Sequence, residues 1–161
     1  MAAFGQQFAN QEANAQNART SNDRGIAKQK KGDLDGAMAD YNQAIKLNPK
    51  DASGYNNRGN IKLAKGDLDG AMADFNEAIN LNLKNASAYN NRGIVKEGKG
   101  DLDGALADYS QAIQIKPKYA AAYRNRGNAK RKKGDLKGAD ADLNQAIKLG
   151  SASAESRLRI P

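Results

Sequence analysis

The chain has 161 residues and a formal net charge of +8, and it contains neither cysteine nor histidine. Because these residues are absent, disulfides, thiol nucleophiles, histidine acid–base chemistry and the usual zinc sites are excluded. An enzyme of this composition would depend on carboxylate or lysine chemistry, or on magnesium, and no cofactor is indicated.

The N-terminal segment, residues 1–17, is rich in Ala, Gln and Asn. Its composition predicts a helical extension or a loose tail, and helix is favoured because Ala and Gln are good helix formers. Phe4 and Phe8 lie one helical turn apart and would need a covering surface. The segment lacks the basic start and apolar core of a signal peptide, and no apolar run approaches the roughly 20 residues that span a membrane. We therefore expect a soluble chain, with the cytoplasm slightly favoured over export.

Residues 18–153 consist of one 34-residue unit written four times. The copies are residues 18–51, 52–85, 86–119 and 120–153. Gly59 of the second copy aligns with a glycine in every other copy. A period of this length, without insertions, predicts a stacked helical solenoid rather than a single closed core.

Each unit is predicted to form a helical hairpin. In the second copy, Gly66 suits the left-handed conformation that closes one helix, and Asp67 is a preferred cap for the next. Apolar residues then recur at spacings of three and four from Leu68 to Leu81. This spacing predicts a second helix with one buried stripe.

The units resemble tetratricopeptide repeats, a family of 34-residue helical hairpins. The matching small residues are Gly59, Ala71 and Ala78, and the matching aromatics are Tyr55 and Phe75, each with equivalents in other copies. The resemblance implies an all-α fold, namely a right-handed superhelical solenoid of antiparallel helical hairpins.

Two basic positions depart from the family pattern. In the second copy they hold Arg58 and Lys62, where the family usually has an apolar residue and an aromatic. Every unit with this Arg also carries an Asp in its second helix, such as Asp74. We therefore predict a ladder of Arg-to-Asp ion pairs that holds the helices in register. Its members are Arg24 with Asp40, Arg58 with Asp74, Arg92 with Asp108, and Arg126 with Asp142.

The C-terminal segment, residues 154–161, is predicted to form a short capping helix that presents Leu158 and Ile160 to the last hairpin. In that hairpin Asp140 stands where earlier copies have Met or Leu, as expected of a terminal repeat that faces water. A cap this short would leave the final helix incompletely covered and open to self-association.

Ligand contacts are expected on the first helix of each unit, because the resemblance implies that these helices line a concave face. Asparagine dominates that face, and a side-chain amide can pair with the backbone of an extended peptide whatever its sequence. The alternative is that these asparagines are solvated residues of the family consensus. The candidate peptide-binding residues are Asn56, Asn57, Asn60, Asn90, Asn91, Ile94, Arg124, Asn125, Asn128 and Arg131.

The fourth copy is strongly basic, with eight cations against three carboxylates in residues 120–153. A cluster from Arg124 to Lys133 could draw an acidic peptide, or it could serve the helix dipole and solubility. No aromatic residues alternate with it to stack bases, which disfavours nucleic acid.

Paired carboxylates such as Asp67 and Asp69 recur at the start of each second helix, where capping explains them without a metal or a catalytic role. A clamp for a terminal carboxylate is also disfavoured. In the family's clamp pattern its cations would fall on Asn56, Ala121 and Asn125, none of which is charged.

The sequence thus predicts a non-enzymatic protein–protein interaction module that binds a partner peptide, with an acidic one favoured, in the concave groove. The alternative is a structural self-assembly unit that forms homo-oligomers through its N-terminal extension and its C-terminal end.

Overall fold

A computed structural model describes the backbone of residues 2–158 and the side chains of residues 6, 7 and 9–150. Within residues 2–158 there are eight α-helices and no strands, which confirms the all-α class. The helices are α1 (Ala2–Lys30), α2 (Leu34–Leu47), α3 (Ala52–Ala64), α4 (Leu68–Leu81), α5 (Ala86–Gly98), α6 (Leu102–Ile115), α7 (Ala120–Lys132) and α8 (Leu136–Leu158).

The helices pack as consecutive hairpins in two compact units, residues 1–83 and 84–161. In the first unit α1 pairs with α2 and α3 with α4, and α3 also contacts α2 and α1. The second unit repeats this arrangement with α5, α6, α7 and α8. Each unit therefore contains one complete repeat-to-repeat interface.

The turn inside each hairpin has the conformation that the sequence predicts. Gly66 adopts a φ of +80°, a left-handed value that side chains disfavour. Asp67 follows, and its carboxylate accepts a hydrogen bond from the Gly70 amide at 2.8 Å. The same glycine conformation and aspartate cap recur in the other three hairpins. The glycine and the aspartate of the turn therefore determine where the second helix of each hairpin begins.

The core of each of the first three hairpins depends on a close approach between one glycine and an aromatic ring. A methyl group on Gly59 would lie 2.7 Å from the ring of Phe75, which is fully buried. Gly25 and Gly93 meet the rings of Tyr41 and Tyr109 in the same way. The cost of a glycine within a helix, about 1 kcal/mol relative to alanine, is thus offset by aromatic packing.

The first and last helices, α1 and α8, each extend beyond the repeats without a break. The N-terminal segment is helical from Ala2 and runs without a break into the first repeat. At the other end α8 continues as one helix through Leu158, where we predicted a separate capping helix over residues 154–161. The side chains of Phe4 and Phe8, and those of residues 151–161, lie outside the described part of the chain. Among the described residues, no helix is both long and apolar enough to cross a membrane.

Candidate functional site

The buried Asp74 carboxylate binds two cations from the first helix of its own hairpin. Arg58 donates from Nε to Oδ2 at 2.9 Å and from Nη2 to Oδ1 at 2.7 Å. Lys62, one turn further along α3, places Nζ 2.9 Å from Oδ2. The Arg58 guanidinium also lies over the ring of Tyr55, 5.6 Å from its centre. This geometry confirms the Arg-to-Asp ladder and adds a lysine that the sequence analysis did not assign.

The same three-residue cluster is present in every hairpin. Hydrogen bonding and charge from the aspartate raise the pKa of each guanidinium. A lysine always stands four residues after the arginine, which is the spacing of neighbours on one helix face. That regularity was the available signal for the missed contact. These cations therefore hold the two helices of each hairpin together through the shared aspartate.

In the first compact unit the candidates Asn56 and Asn57 hydrogen-bond to each other, and Asn57 also pairs with Asn22 of the preceding repeat. Asn57 Nδ2 donates to Oδ1 of Asn22 on α1 at 2.9 Å. Asn56 Nδ2 lies 3.4 Å from Oδ1 of Asn57. The Asn57–Asn22 pair joins the first helices of two successive repeats. These amides therefore have a structural role, whatever else they bind.

The second compact unit has a matching pair. Asn125 Nδ2 donates to Oδ1 of Asn90 at 3.0 Å, and Asn90 Nδ2 donates to Asn91 at 3.1 Å. Asn90 is only 4% exposed, whereas Asn91 and Asn125 are half-buried. Asn90 is thus placed to orient its neighbours rather than to touch a ligand.

The remaining candidates of the first helices differ in exposure. Asn128 is exposed and Asn60 is half-buried. Ile94 packs against the core formed by Ala105, Tyr109 and Ala129. Its side chain therefore contributes to stability, and a ligand could reach only the part of it that stays exposed.

Most of the basic cluster is paired. Arg126 and Lys130 bind Asp142, Lys132 binds Glu97 at 2.7 Å, and Lys133 bridges to Asp103. Arg131 lies 3.5 Å from Asp140, and both side chains are exposed. Arg124 is exposed and lines an open cavity of about 460 Å³ between α7 and α8. Only part of the positive charge is therefore presented to a partner.

The recurrent carboxylates at the start of the second helices are occupied by structural contacts. Asp33 and its equivalents cap these helices, while Asp35 bridges to Lys65 of the next repeat. Nowhere in the described part of the chain do three metal-binding side chains converge. The arrangement can offer hydrogen bonds and positive charge to a ligand.

Solved structures with a similar fold include several repeat proteins. The crystal structure of MamA is 26% identical, with a TM-score of 0.75 over 86% of this chain and 81% of that one. The TPR domain of OM64 from Arabidopsis is 27% identical, with a TM-score of 0.71 over 73% of this chain and 98% of that one. The first TPR of Spaghetti (RPAP3), solved with the HSP90 peptide SRMEEVD, is 22% identical, with a TM-score of 0.71 over 74% and 95%, and shows the fold alone.

Sequence models give the family directly, although no curated protein matches the chain. A model described as TPR repeat matches residues 25–64, 59–100 and 98–134. A second, described as Tetratricopeptide repeat, matches residues 120–149. Such repeats are commonly protein–protein interaction modules. The chain belongs to the tetratricopeptide repeat family.

Proposed function

We propose that this protein is a non-enzymatic adaptor whose first helices bind an extended, acidic segment of a partner protein. The observation that carries the proposal is the pairing of side-chain amides between successive first helices, Asn57 with Asn22 and Asn125 with Asn90. Each compact unit has one such amide pair, so each unit provides a peptide-contacting surface of its own.

The amide pairs are suited to backbone recognition because they are oriented before a ligand arrives. A side-chain amide has two N–H donors and an oxygen with two lone pairs. The contact with Asn22 uses one donor of Asn57, and the contact from Asn56 uses one lone pair. The other donor and lone pair keep a fixed direction, so a peptide backbone can bind them without the entropy cost of ordering a free side chain.

Selectivity for acidic segments is assigned to the last hairpin. Arg124 is exposed, and the partner of Arg131 is an exposed aspartate at the long distance of 3.5 Å. Exposed ion pairs contribute only about 0–1 kcal/mol, so a ligand carboxylate can displace Asp140 at little cost. Arg131 and Arg124 then give the ligand a local preference for negative charge.

The amide contribution can be tested with a displayed library of random peptides of about 12 residues, long enough to span several backbone contacts. The triple variant Asn57→Ala, Asn91→Ala and Asn125→Ala should lose most affinity for peptides selected on the wild-type chain. The matched control is Asn17→Ala, Asn80→Ala and Asn144→Ala, three exposed asparagines elsewhere. Circular dichroism of both variants separates lost binding from lost folding.

Retention of every selected peptide by the folded triple variant would remove the amides from the mechanism. The charge contribution is measured separately with acidic members of the same library. Their affinity should fall between low salt and about 0.5 M salt, where exposed charges are screened. It should fall less steeply for the Arg124→Ala variant, and a salt dependence equal to that of the wild type would exclude a role for this arginine.

A further inference from the structure

The α7–α8 hairpin ends in a surface shaped like an internal repeat interface. Its open cavity of about 460 Å³ is lined by Ala121, Arg124, Leu143, Ala146 and Ile147 among others. Leu136 and Ile147 are 62% and 66% exposed, and their spacing of eleven residues, close to three helical turns, places both on one face of α8. Leu143 and Ile147 therefore border the cavity with apolar side chains, and Leu136 lies further along the same helix beyond the exposed Asp140.

The first compact unit shows which element packs against the equivalent surface of an earlier hairpin. Ile45, the equivalent of Ile147 three periods earlier, approaches Gly54 of α3 so closely that a methyl group on this glycine would lie 2.9 Å from the isoleucine. Leu34, the equivalent of Leu136, packs in the cluster that contains Ile61 of α3. The end surface is therefore matched to the first helix of a following hairpin.

The C-terminal part of α8 does not supply that helix. Its backbone continues as one helix from Leu136 through Leu158, with no turn that would fold it back across the hairpin. Within residues 136–158 the chain therefore leaves this surface open to a helix from elsewhere.

Charge on the end surface identifies the chemistry of that molecule. We call the residues of a hairpin that contact the next repeat its receiving edge. In the α5–α6 hairpin this edge consists of Asn90, Glu97 and Asp103. The arriving helix α7 and the turn after it bring, respectively, Asn125, Lys132 and Lys133 to these three residues. One period later the receiving edge consists of Arg124, Arg131 and Lys137. The edge has changed from an amide and two carboxylates to three cations, and Asp140, which contacts Arg131, offsets only one of them.

We infer that this end surface docks an acidic amphipathic helix of a partner protein, in the place that a fifth repeat would take. The helix sets small or apolar residues against Ile147 and Leu143, and acidic residues opposite Arg124, Arg131 and Lys137. This site shares Arg124 and Arg131 with the proposed peptide contacts, but it does not use the amide pairs of Asn57 and Asn125, so it can act when those amides do not bind a ligand.

A second copy of this chain fits the surface poorly. In the register of the internal interfaces, α1 of another copy would bring Lys30 to Arg131 and the adjoining Lys31 to Lys137. Only Asp23, which would face Arg124, is complementary. Like charges at two of three positions oppose head-to-tail stacking.

The test attaches a probe helix to the full chain after Pro161 through a flexible Gly/Ser linker of about 20 residues, whose average span is about 25 Å. One probe carries residues 119–135 as they stand in this chain. The other carries the same residues with Asn125→Glu, Lys132→Glu and Lys133→Glu. The tether gives an effective concentration near the millimolar range, so even a weakly binding probe will occupy the surface. A probe that gives no protection therefore does not bind there.

Hydrogen exchange of the α8 amides is the readout. We expect the acidic probe to raise their protection at least about tenfold more than the basic probe, because three ion pairs replace three repulsive or neutral contacts. Reversing the surface with Arg124→Glu, Arg131→Glu and Lys137→Glu should reverse the preference. The control triple Lys46→Glu, Lys50→Glu and Lys118→Glu changes the net charge equally at exposed sites elsewhere and should preserve it.

Equal protection by the two probes, or no protection by the acidic one, would overturn the proposal. Light scattering of the untethered chain provides the other decisive result. We expect the chain to remain monomeric as its concentration is raised. A dimer that is abolished by Ile147→Asp would show that a second copy covers this surface, and the proposed partner helix would then be wrong.

Discussion

The Arg58 guanidinium and the Asp74 carboxylate meet in a two-pronged ion pair, with Nε 2.9 Å from Oδ2 and Nη2 2.7 Å from Oδ1. The carboxylate side chain is only 4% exposed, so its charge depends on these donors for solvation. Lys62 supplies a second cation at 2.9 Å. One buried carboxylate thus forms ion pairs with two cations of the facing helix, at the same place in every hairpin.

Replacement of Asp74 by Asn should be strongly destabilising. The two cations would remain beside a neutral side chain, and removing one partner of a buried ion pair costs about 3–5 kcal/mol. We expect a loss near 3 kcal/mol, because Arg58 and Lys62 are still 21% and 22% exposed and keep some hydration. Urea denaturation measures it. Asp35→Asn is the control, since that carboxylate is 88% exposed, and its effect should be far smaller.

Acid should weaken the last hairpin through Asp142. Burial by itself would raise the pKa of this carboxyl, but hydrogen bonds from Arg126 and Lys130 outweigh burial and hold the pKa below its ordinary value. A lowered folded-state pKa stabilises the protein above the unfolded value of about 3.9, and this contribution is lost as pH falls through the folded-state pKa. The free energy of unfolding should therefore drop below about pH 4. The drop should be shallower in Asp142→Asn, and parallel profiles for the two proteins would contradict this assignment.

Much of the fold could be read from the sequence, because each local signal agrees with the 34-residue period. Gly66 and Asp67 predicted the turn and the cap, and the co-occurrence of Arg58 with Asp74 predicted the ion pair that the structure confirms. These features depend on residues close in sequence or repeated in every copy. Such features can therefore be predicted without knowledge of the tertiary contacts.

The details of the candidate site could be predicted less well, because they depend on packing between helices. Asn90 and Asn125 are 35 residues apart, and no local pattern shows that they pair or that Asn90 is buried. Ile94 was assigned to a ligand-facing position by family resemblance, and no local pattern shows that its half-buried side chain also packs against the core around Tyr109. Exposure at the edge of a helix face is decided by the neighbouring hairpin rather than by the period.

Alanine at Gly59 should destabilise the protein despite its better helix propensity. The new methyl group would lie 2.7 Å from the Phe75 ring, and overpacking of a core typically costs about 1–3 kcal/mol. Gly127→Ala should cost less, because its nearest neighbour is Leu143 at 3.0 Å. Gly150→Ala is the control, since nothing lies within 4 Å, and it should stabilise α8 by up to about 1 kcal/mol. Thermal unfolding of the three variants gives the order, and equal effects would exclude the close approach as the reason for Gly59.

The Tyr109 hydroxyl should resist ionisation. It is fully buried and donates to Oε2 of Glu97 at 2.8 Å, while Oε1 of Glu97 accepts from Lys132 at 2.7 Å. Burial raises the pKa of Tyr109 far above its ordinary value, and the Glu97 carboxylate raises it further because a phenolate would face a negative charge. A raised folded-state pKa stabilises the protein below the unfolded value of about 10, and that contribution is lost as pH rises above it.

Alkaline titration followed by tyrosine absorbance tests this arrangement. Tyr109→Phe should remove the component that ionises at the highest pH, at a cost of about 1 kcal/mol for one hydrogen bond. The cost stays small because Glu97 keeps Lys132 as a partner and Phe75 fills the equivalent place in the second repeat. Glu97→Gln removes the facing charge, so the Tyr109 ionisation should move to lower pH. If Tyr109→Phe instead removed a component that ionises near pH 10 in the folded protein, the hydroxyl would have to be accessible to water, and the burial of this ring against Gly93 would be wrong.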